Sequence, residues 1–273
     1  MTIHSTCTLN NGVKIPWLGL GVYKSKEGPE VENAVRWALE IGYRHIDTAS
    51  MYENETGVGK AIAESSVDRE DIFLTTKVWN DEQGYQKTLA AFDRSRSKLR
   101  SDVIDLYLIH WPVKESFKET WKAMEKLYAE GKVRAIGVSN FLIHHLKELL
   151  VDFDVVPAVD QVEWHPFLRQ RELHEFCSDS GIQLEAWSPL TRGRMLDHQV
   201  INEIAEAHGK SPAQILIRWD LQHEVVTIPK SVHRERILEN SRVFDFVLSS
   251  DEMSRLDALD SETRFGKHPD EMS

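Results

Sequence analysis

The chain has 273 residues, 41% of them hydrophobic and 28% charged, a composition that can bury a large core. That length fits one or two domains, and a β/α barrel takes about 250 residues as one. With 33 basic residues against 44 acidic the formal charge is −11, which argues against wholesale binding of nucleic acid or of an anionic membrane.

The first predicted element is a hairpin, two short β-runs in Cys7–Ile15 around Asn10-Asn11-Gly12. Strands are then expected at 16–22, 43–48, 72–78, 104–110, 133–138, 158–163, 183–188 and 225–229, most of them rich in Val, Ile and Leu as parallel strands buried on both faces are. Helical spacing fills the gaps, as in Val31, Ala34, Val35, Ala38 and Leu39, or Trp121, Met124, Leu127 and Tyr128. Ser211-Pro212 and Ser250-Asp251-Glu252 are helix-start signals, and the long gap after the seventh strand predicts an extra helix near 198–207. The tail from Thr263 lacks periodicity, which leaves open whether it is disordered or packs over the barrel mouth. No linker divides the chain, so a single (β/α)8 TIM-barrel domain with an N-terminal β-hairpin and extra helices is expected over 1–273.

No apolar run approaches the ~20 residues of a membrane span, and no secretory h-region opens the chain, so a cytoplasmic protein is expected. Cys7 and Cys177 are the only cysteines; they are far apart and read as free thiols in a reducing compartment. No oligomerisation segment is evident, which fits a monomer.

Three of the strand runs end on ionisable groups: Asp47, Lys77 and His110. They are spaced by about one strand–helix unit, some 30 residues, so they fall at equivalent ends of successive strands. In a β/α barrel all those ends point to one face. Tyr52 lies in the loop just past Asp47. A neighbouring ammonium would stabilise its phenolate and lower a pKa ordinarily near ~10. Asp47 would keep the lysine charged, and His110 could hydrogen-bond a carbonyl oxygen. The set amounts to a proton donor for a carbonyl that receives a nucleophile on carbon. The plain alternative is a buried Asp–Lys pair with Tyr52 packed beside it.

A second constellation opens at the last strand's end, where Lys230, Ser231 and Arg236 bring cations and a hydroxyl to a helix N-terminus. That pattern suits an anion site, and in an acidic chain it suggests a phosphate-bearing ligand; the plain alternative is a solvated helix face. Trp187 ends the seventh strand, where its ring could stack on a flat heterocycle. Ser139, Asn140 and Gln161 follow strands five and six and offer groups that recognise a carboxamide, although Asn140 alone reads as an N-cap and Gln161 as a core amide. Tyr23, Trp79, Trp111 and Phe117 would wall a mostly apolar pocket, although each taken alone reads as ordinary packing. Gly19-Leu20-Gly21 has Lys24 where a dinucleotide fingerprint needs its third glycine. His144, His145 and His174 read as exposed helix residues, and no HExxH is present.

These motifs, from Gly42–Ala49 with Tyr52 through Thr76–Trp79, Asp105–Pro112 and Ile136–Phe141 to Ile228–Ser231, resemble the aldo-keto reductase superfamily over practically the whole chain. Within it the chain looks most like microbial members of the glyoxal/methylglyoxal reductase, diketogluconate reductase and prostaglandin F synthase types. The resemblance implies NADPH-dependent reduction of small aldehydes, ketones and α-dicarbonyls to alcohols. It makes Tyr52 the general acid, Lys77 and Asp47 its modulators, and His110 the group that orients the carbonyl, with Tyr23, Trp79 and Trp111 around the substrate. It also implies cofactor contacts at Asp47, Ser139, Asn140, Gln161, Trp187, Ser188, Leu190, Lys230, Ser231, Val232, Arg236, Glu239 and Asn240. Two positions depart from the family pattern. Asp160 is expected to change hydrogen bonding beneath the nicotinamide, and Thr191 the loop over the pyrophosphate. Two rival readings remain: a metal-dependent barrel hydrolase using His45, Asp47, His110, His165 and a modified Lys77, and a non-catalytic NADPH-binding sensor.

Overall fold

In the computed structural model, which describes residues 1–272, a turn at Asn10–Gly12 folds β1 (Thr6–Thr8) back onto antiparallel β2 (Lys14–Pro16). Gly12 holds φ 85°, a left-handed geometry that favours glycine. The hairpin's Leu9 and Ile15 pack with Phe73, Leu106, Leu108, Val159 and Val226 in one apolar cluster inside the sheet. The hairpin therefore plugs the end of the barrel where the strands begin.

The eight strands that follow are β3 (Leu20–Gly21), β4 (His45–Asp47), β5 (Phe73–Val78), β6 (Ile104–Ile109), β7 (Val133–Ser139), β8 (Val159–Glu163), β9 (Gln183–Trp187) and β10 (Val226–Thr227). They lie in sequence order, each parallel to the next. Bridges Leu18 to Thr227 and Gly21 to Lys230 join the last strand to the first, with Gly19 N–H donating to Thr227 O at 2.9 Å, so the expected (β/α)8 barrel is closed. The runs expected at 16–22 and 225–229 form ladders of only two residues each. The closure seam explains the shortfall. A Cβ at Gly21 would stand 2.8 Å from Ile228 O, and Pro229 has no amide to extend the pairing.

The helices are α1 (Pro29–Ile41), α2 (Glu55–Ala63), α3 (Tyr85–Leu99), α4 (Phe117–Ala129), α5 (Ile143–Asp152), α6 (Arg171–Asp179), α7 (Gln199–His208), α8 (Pro212–Gln222), α9 (Arg234–Ser241) and α10 (Ser250–Asp257). The helix expected near 198–207 is α7. Val31, Ala34, Val35, Ala38 and Leu39 form the buried stripe of α1, as their spacing predicts. Ser211 caps α8 with Pro212 in its first turn, whereas α10 is capped by Ser249, one residue before the predicted start. The tail packs against the loop after β8: Ser261 and Thr263 donate backbone N–H bonds to Phe167 O, at 3.3 and 2.9 Å.

Candidate active site

Strand alternation turns Asp47, Lys77, His110, Ser139, Gln161 and Trp187 toward the inside of the barrel at the ends of successive strands. Lys77 is fully buried. Its Nζ donates to Asp47 Oδ1 and Oδ2 at 2.6 and 2.8 Å, to Thr48 O at 2.9 Å and to Tyr52 Oη at 3.3 Å. Tyr52 arrives on a single 3-10 turn, Ser50–Tyr52, and Asn54 pins that loop: it accepts from Thr48 Oγ1 and donates to Val22 O and Ser25 O. The Tyr52 ring meets Tyr23 at 5.0 Å and the edge of His110 at 5.7 Å. The four residues read from three strand ends and one loop thus lie together.

The electrostatics differ from expectation in one respect. The Tyr52 phenol is pushed up to about 12, burial first, with Lys77 pulling it down and Asp47 pushing it up again. Lys77 therefore does not lower this pKa below its ordinary value; the phenol keeps its proton at neutral pH. Burial also pulls Lys77 down, but Asp47, Tyr52 and Glu185 outweigh it and hold the ammonium above its usual range. Burial raises the Asp47 carboxyl while Lys77 and Gln161 draw it back, and the two short contacts to Nζ are those of an ion pair. His110 is held well below its ordinary value by burial and then by Lys77, so it is a neutral ring with one N–H to give.

Beneath this set lies a second polar layer. Gln161 Nε2 donates to Asp47 Oδ2 at 2.8 Å and to Glu185 Oε2 at 2.9 Å, which commits both of its hydrogens and leaves Oε1 for the cavity. Glu185 also faces His45, whose Nε2 is 3.6 Å from Oε1 and 3.1 Å from Thr75 Oγ1. Its carboxyl is pushed up to about 8, by burial first and then by Asp47. An unfolded glutamate titrates near ~4.3. The folded chain therefore holds a proton that the unfolded chain gives up. Stability from this group is full below the unfolded pKa and is lost as pH rises through about 8. In Glu185→Gln the denaturant midpoint should fall less between about pH 6 and about pH 9 than in the wild type. An equal fall in both would contradict the assignment.

A cavity of about 900 Å³ opens above these residues. It is lined by Asp47, Tyr52, His110, Tyr23, Trp111, Ser139, Asn140, Gln161, Trp187, Ser188, Leu190, Lys230, Ser231, Val232, Arg236, Glu239 and Asn240. Asn140, at φ 63°, donates to His110 O and Ser139 Oγ and accepts the Trp187 indole N–H at 2.8 Å, so it braces the aromatic ring. Glu239 accepts from the Ser211 hydroxyl at the N-terminus of α8. Lys24 and Arg192 also line the cavity, and the sequence reading missed both as ligand-facing groups. Arg192 lies 5.7 Å over the Trp187 ring. Among the described residues, Lys24, Arg192, Lys230 and Arg236 make no ion pair, which leaves their charges to a ligand in the cavity.

Other expectations fall elsewhere. Trp79 stands edge-on to His110 at 5.0 Å and lies outside the cavity wall; Phe117 is buried against Phe141. Asp160 faces outward from β8 and takes the Phe141 N–H at 3.4 Å, so it does not sit beneath the carboxamide contacts. Thr191 is buried at φ 53°, a costly conformation for a β-branched residue. Its hydroxyl donates to Leu190 O and accepts from Met195 N–H, which secures the loop. His145 is buried rather than exposed and His174 packs on Trp164 at 5.1 Å; only His144 of the three is exposed. His144 and His145 approach Asp270 at 3.0 and 3.5 Å. His145 Nδ1 accepts Leu142 N–H, so its Nε2 is the nitrogen left to face Asp270, and the pair of rings makes a contact with the tail. The residues of the proposed metal site are committed separately: Lys77 to Asp47, His165 to Glu163 at 3.3 Å and His45 to Thr75. That arrangement gives no support to the hydrolase.

The model of the Aldo/keto reductase family matches residues 17–261. The chain is 56% identical to the glyoxal reductase of Bacillus subtilis (strain 168), over 99% of this chain and 98% of that protein. It is 48% identical to the methylglyoxal reductase DkgA of Salmonella typhimurium (strain LT2), over 96% of each. A crystal structure of a Gox0644 variant in complex with NADPH superposes with a TM-score of 0.93 at 44% identity, covering 98% of both chains. A family match across most of the barrel and near-full-length relatives of this identity lead to one conclusion: the chain belongs to the aldo/keto reductase family.

Proposed function

We propose that the chain reduces small aldehydes, ketones and α-dicarbonyls of the methylglyoxal type to alcohols, using NADPH, with Tyr52 as proton donor. One observation carries the reading: a protonated tyrosine hydroxyl 3.3 Å from a buried ammonium, on the wall of a cavity that a neutral His110 also lines. The relatives whose names specify glyoxal and methylglyoxal favour the same class of substrate. Tyr23, Met51 and Trp111 line the cavity along with Tyr52 and suit a small carbonyl compound.

The residues present fit the cofactor. The free Gln161 Oε1 suits a carboxamide NH2, the Trp187 ring suits a nicotinamide face, and Lys24, Arg192, Lys230 and Arg236 are unpaired cations for phosphates. When bound, NADPH supplies a hydride for the carbonyl carbon. His110 donates its N–H to the carbonyl oxygen, and Tyr52 gives that oxygen its proton. Lys77, kept charged by Asp47, stabilises the phenolate left behind.

Arg236 is exposed on α9 and faces the cavity, where a 2′-phosphate would give it a charge-assisted bond that NADH lacks. Arg236→Ala should raise the NADPH dissociation constant by about 10- to 100-fold and leave that of NADH nearly unchanged. Titration of both cofactors tests this, and equal losses would refute the 2′-phosphate assignment.

A further inference from the structure

Glu163 ends β8, is fully buried, and lines no part of the cavity. Its carboxylate is aimed at the tail: Oε1 accepts Phe265 N–H at 2.8 Å and Oε2 accepts Gly266 N–H at 3.0 Å. His165 Nε2 stands 3.3 Å from Oε1. A second tie runs alongside, with Arg264 Nη2 donating to Gln170 Oε1 at 2.8 Å and Gln170 Nε2 donating to Glu163 O at 2.7 Å.

The latched segment presses on Trp187. A Cβ added at Gly266 would overlap indole Cη2 and would lie 3.3 Å from Cζ2 and 3.1 Å from Glu163 Oε2. Gly266 is needed here for space, because its backbone is outside the left-handed region. The indole is thus held at both ends, by Asn140 on its N–H and by Gly266 on its benzo edge. Among the described residues, none beyond Asn240 lines the cavity, so the described tail reaches the site through this ring.

We propose that residues 263–266 form a buttress that sets the position of the Trp187 ring, and that Glu163 is the positioning residue that holds the buttress in place. The inference rests on the reading of Trp187 as the surface for the nicotinamide. Its consequence is selective. The tail supports the nicotinamide half of the cofactor site and has no part in the phosphate half. Two acceptor oxygens match two backbone donors at Glu163; a glutamine would offer one acceptor and set an NH2 against the other N–H. Burial pushes this carboxyl up, but His165 and the two tail amides outweigh it and hold it ionised, the form that accepts both bonds.

The test uses Glu163→Gln, Gly266→Ala and, as control, Trp187→Ala, in the full chain. Hydrogen exchange at Phe265 and Gly266 is read without ligand, and dissociation constants are read for NADPH and for adenosine 2′,5′-bisphosphate, which lacks the nicotinamide. Glu163→Gln should speed exchange at both amides by about tenfold or more. Both it and Gly266→Ala should weaken NADPH by about tenfold, while the bisphosphate binds as it does to the wild type. Equal weakening of the two ligands would make the effect a general loss of structure and overturn the proposal. Faster exchange with unchanged NADPH binding would also overturn it, because the tail would then not hold the ring. If Glu163→Gln fails to fold, Gly266→Ala decides alone by the same comparison. Unchanged NADPH binding in Trp187→Ala would locate the failure in the reading of the ring itself.

Discussion

Tyr52→Phe should lose about a hundred- to ten-thousand-fold in turnover while binding NADPH as the wild type does, which is the range that positioned acid–base groups contribute. The substitution removes one oxygen. The ring keeps its contacts with Tyr23 and His110, and the hydroxyl's polar partner among the described residues, Lys77, retains three stronger ones in Asp47 Oδ1, Asp47 Oδ2 and Thr48 O. Stability should therefore shift by no more than about 1 kcal/mol. The high pKa of the phenol strengthens this expectation. With burial holding it at about 12, Tyr52 is a proton carrier throughout the neutral range, and the variant has no other donor at that point. His110 cannot substitute, because as a neutral ring it can share its N–H but is a poor source of a transferred proton. Turnover by Tyr52→Phe near the wild-type rate would remove Tyr52 from the reaction.

Lys77→Met should damage both fold and turnover. The methionine fills much of the volume, but Asp47 is left as a buried carboxylate with only Gln161 among its side-chain partners. Breaking a buried pair in this way costs about 3–5 kcal/mol, so the denaturant midpoint should drop markedly. Part of that loss should return in acid, where protonation of Asp47 removes the unpaired charge. Turnover should fall by about a hundredfold or more, since the phenolate formed at Tyr52 loses the one cation beside it. A variant that is destabilised yet turns over normally would leave Lys77 a purely structural role.

The strand ends were legible because a parallel barrel repeats one unit. Asp47, Lys77 and His110 fall one strand–helix unit apart, and the alternation of each strand fixes their facing. The anion site was legible because Lys230, Ser231 and Arg236 are concentrated in an acidic chain. Glu185 and Glu163 were not: a glutamate within or ending a strand carries no sign of whether it meets solvent, and here both are buried through partners more than twenty residues away. The effect of burial on Tyr52 was hidden for a related reason. A sequence lists the neighbouring charge, whereas desolvation depends on the surrounding fold. Lys24 and Arg192 were passed over because single charges in loops read as solvated. The tail has no periodicity because it is held by its backbone amides and by one glycine against a ring, neither of which produces a repeating pattern.

The most direct test of the account is a single-turnover comparison of the wild type and Tyr52→Phe, each saturated with NADPH and then mixed with methylglyoxal. The reduced-nicotinamide absorbance should decay in the wild type with formation of one alcohol per cofactor, and Tyr52→Phe, with its cofactor equally bound, should retain that absorbance over the same interval. Equal decay in the two proteins, or no decay in the wild type, would contradict it.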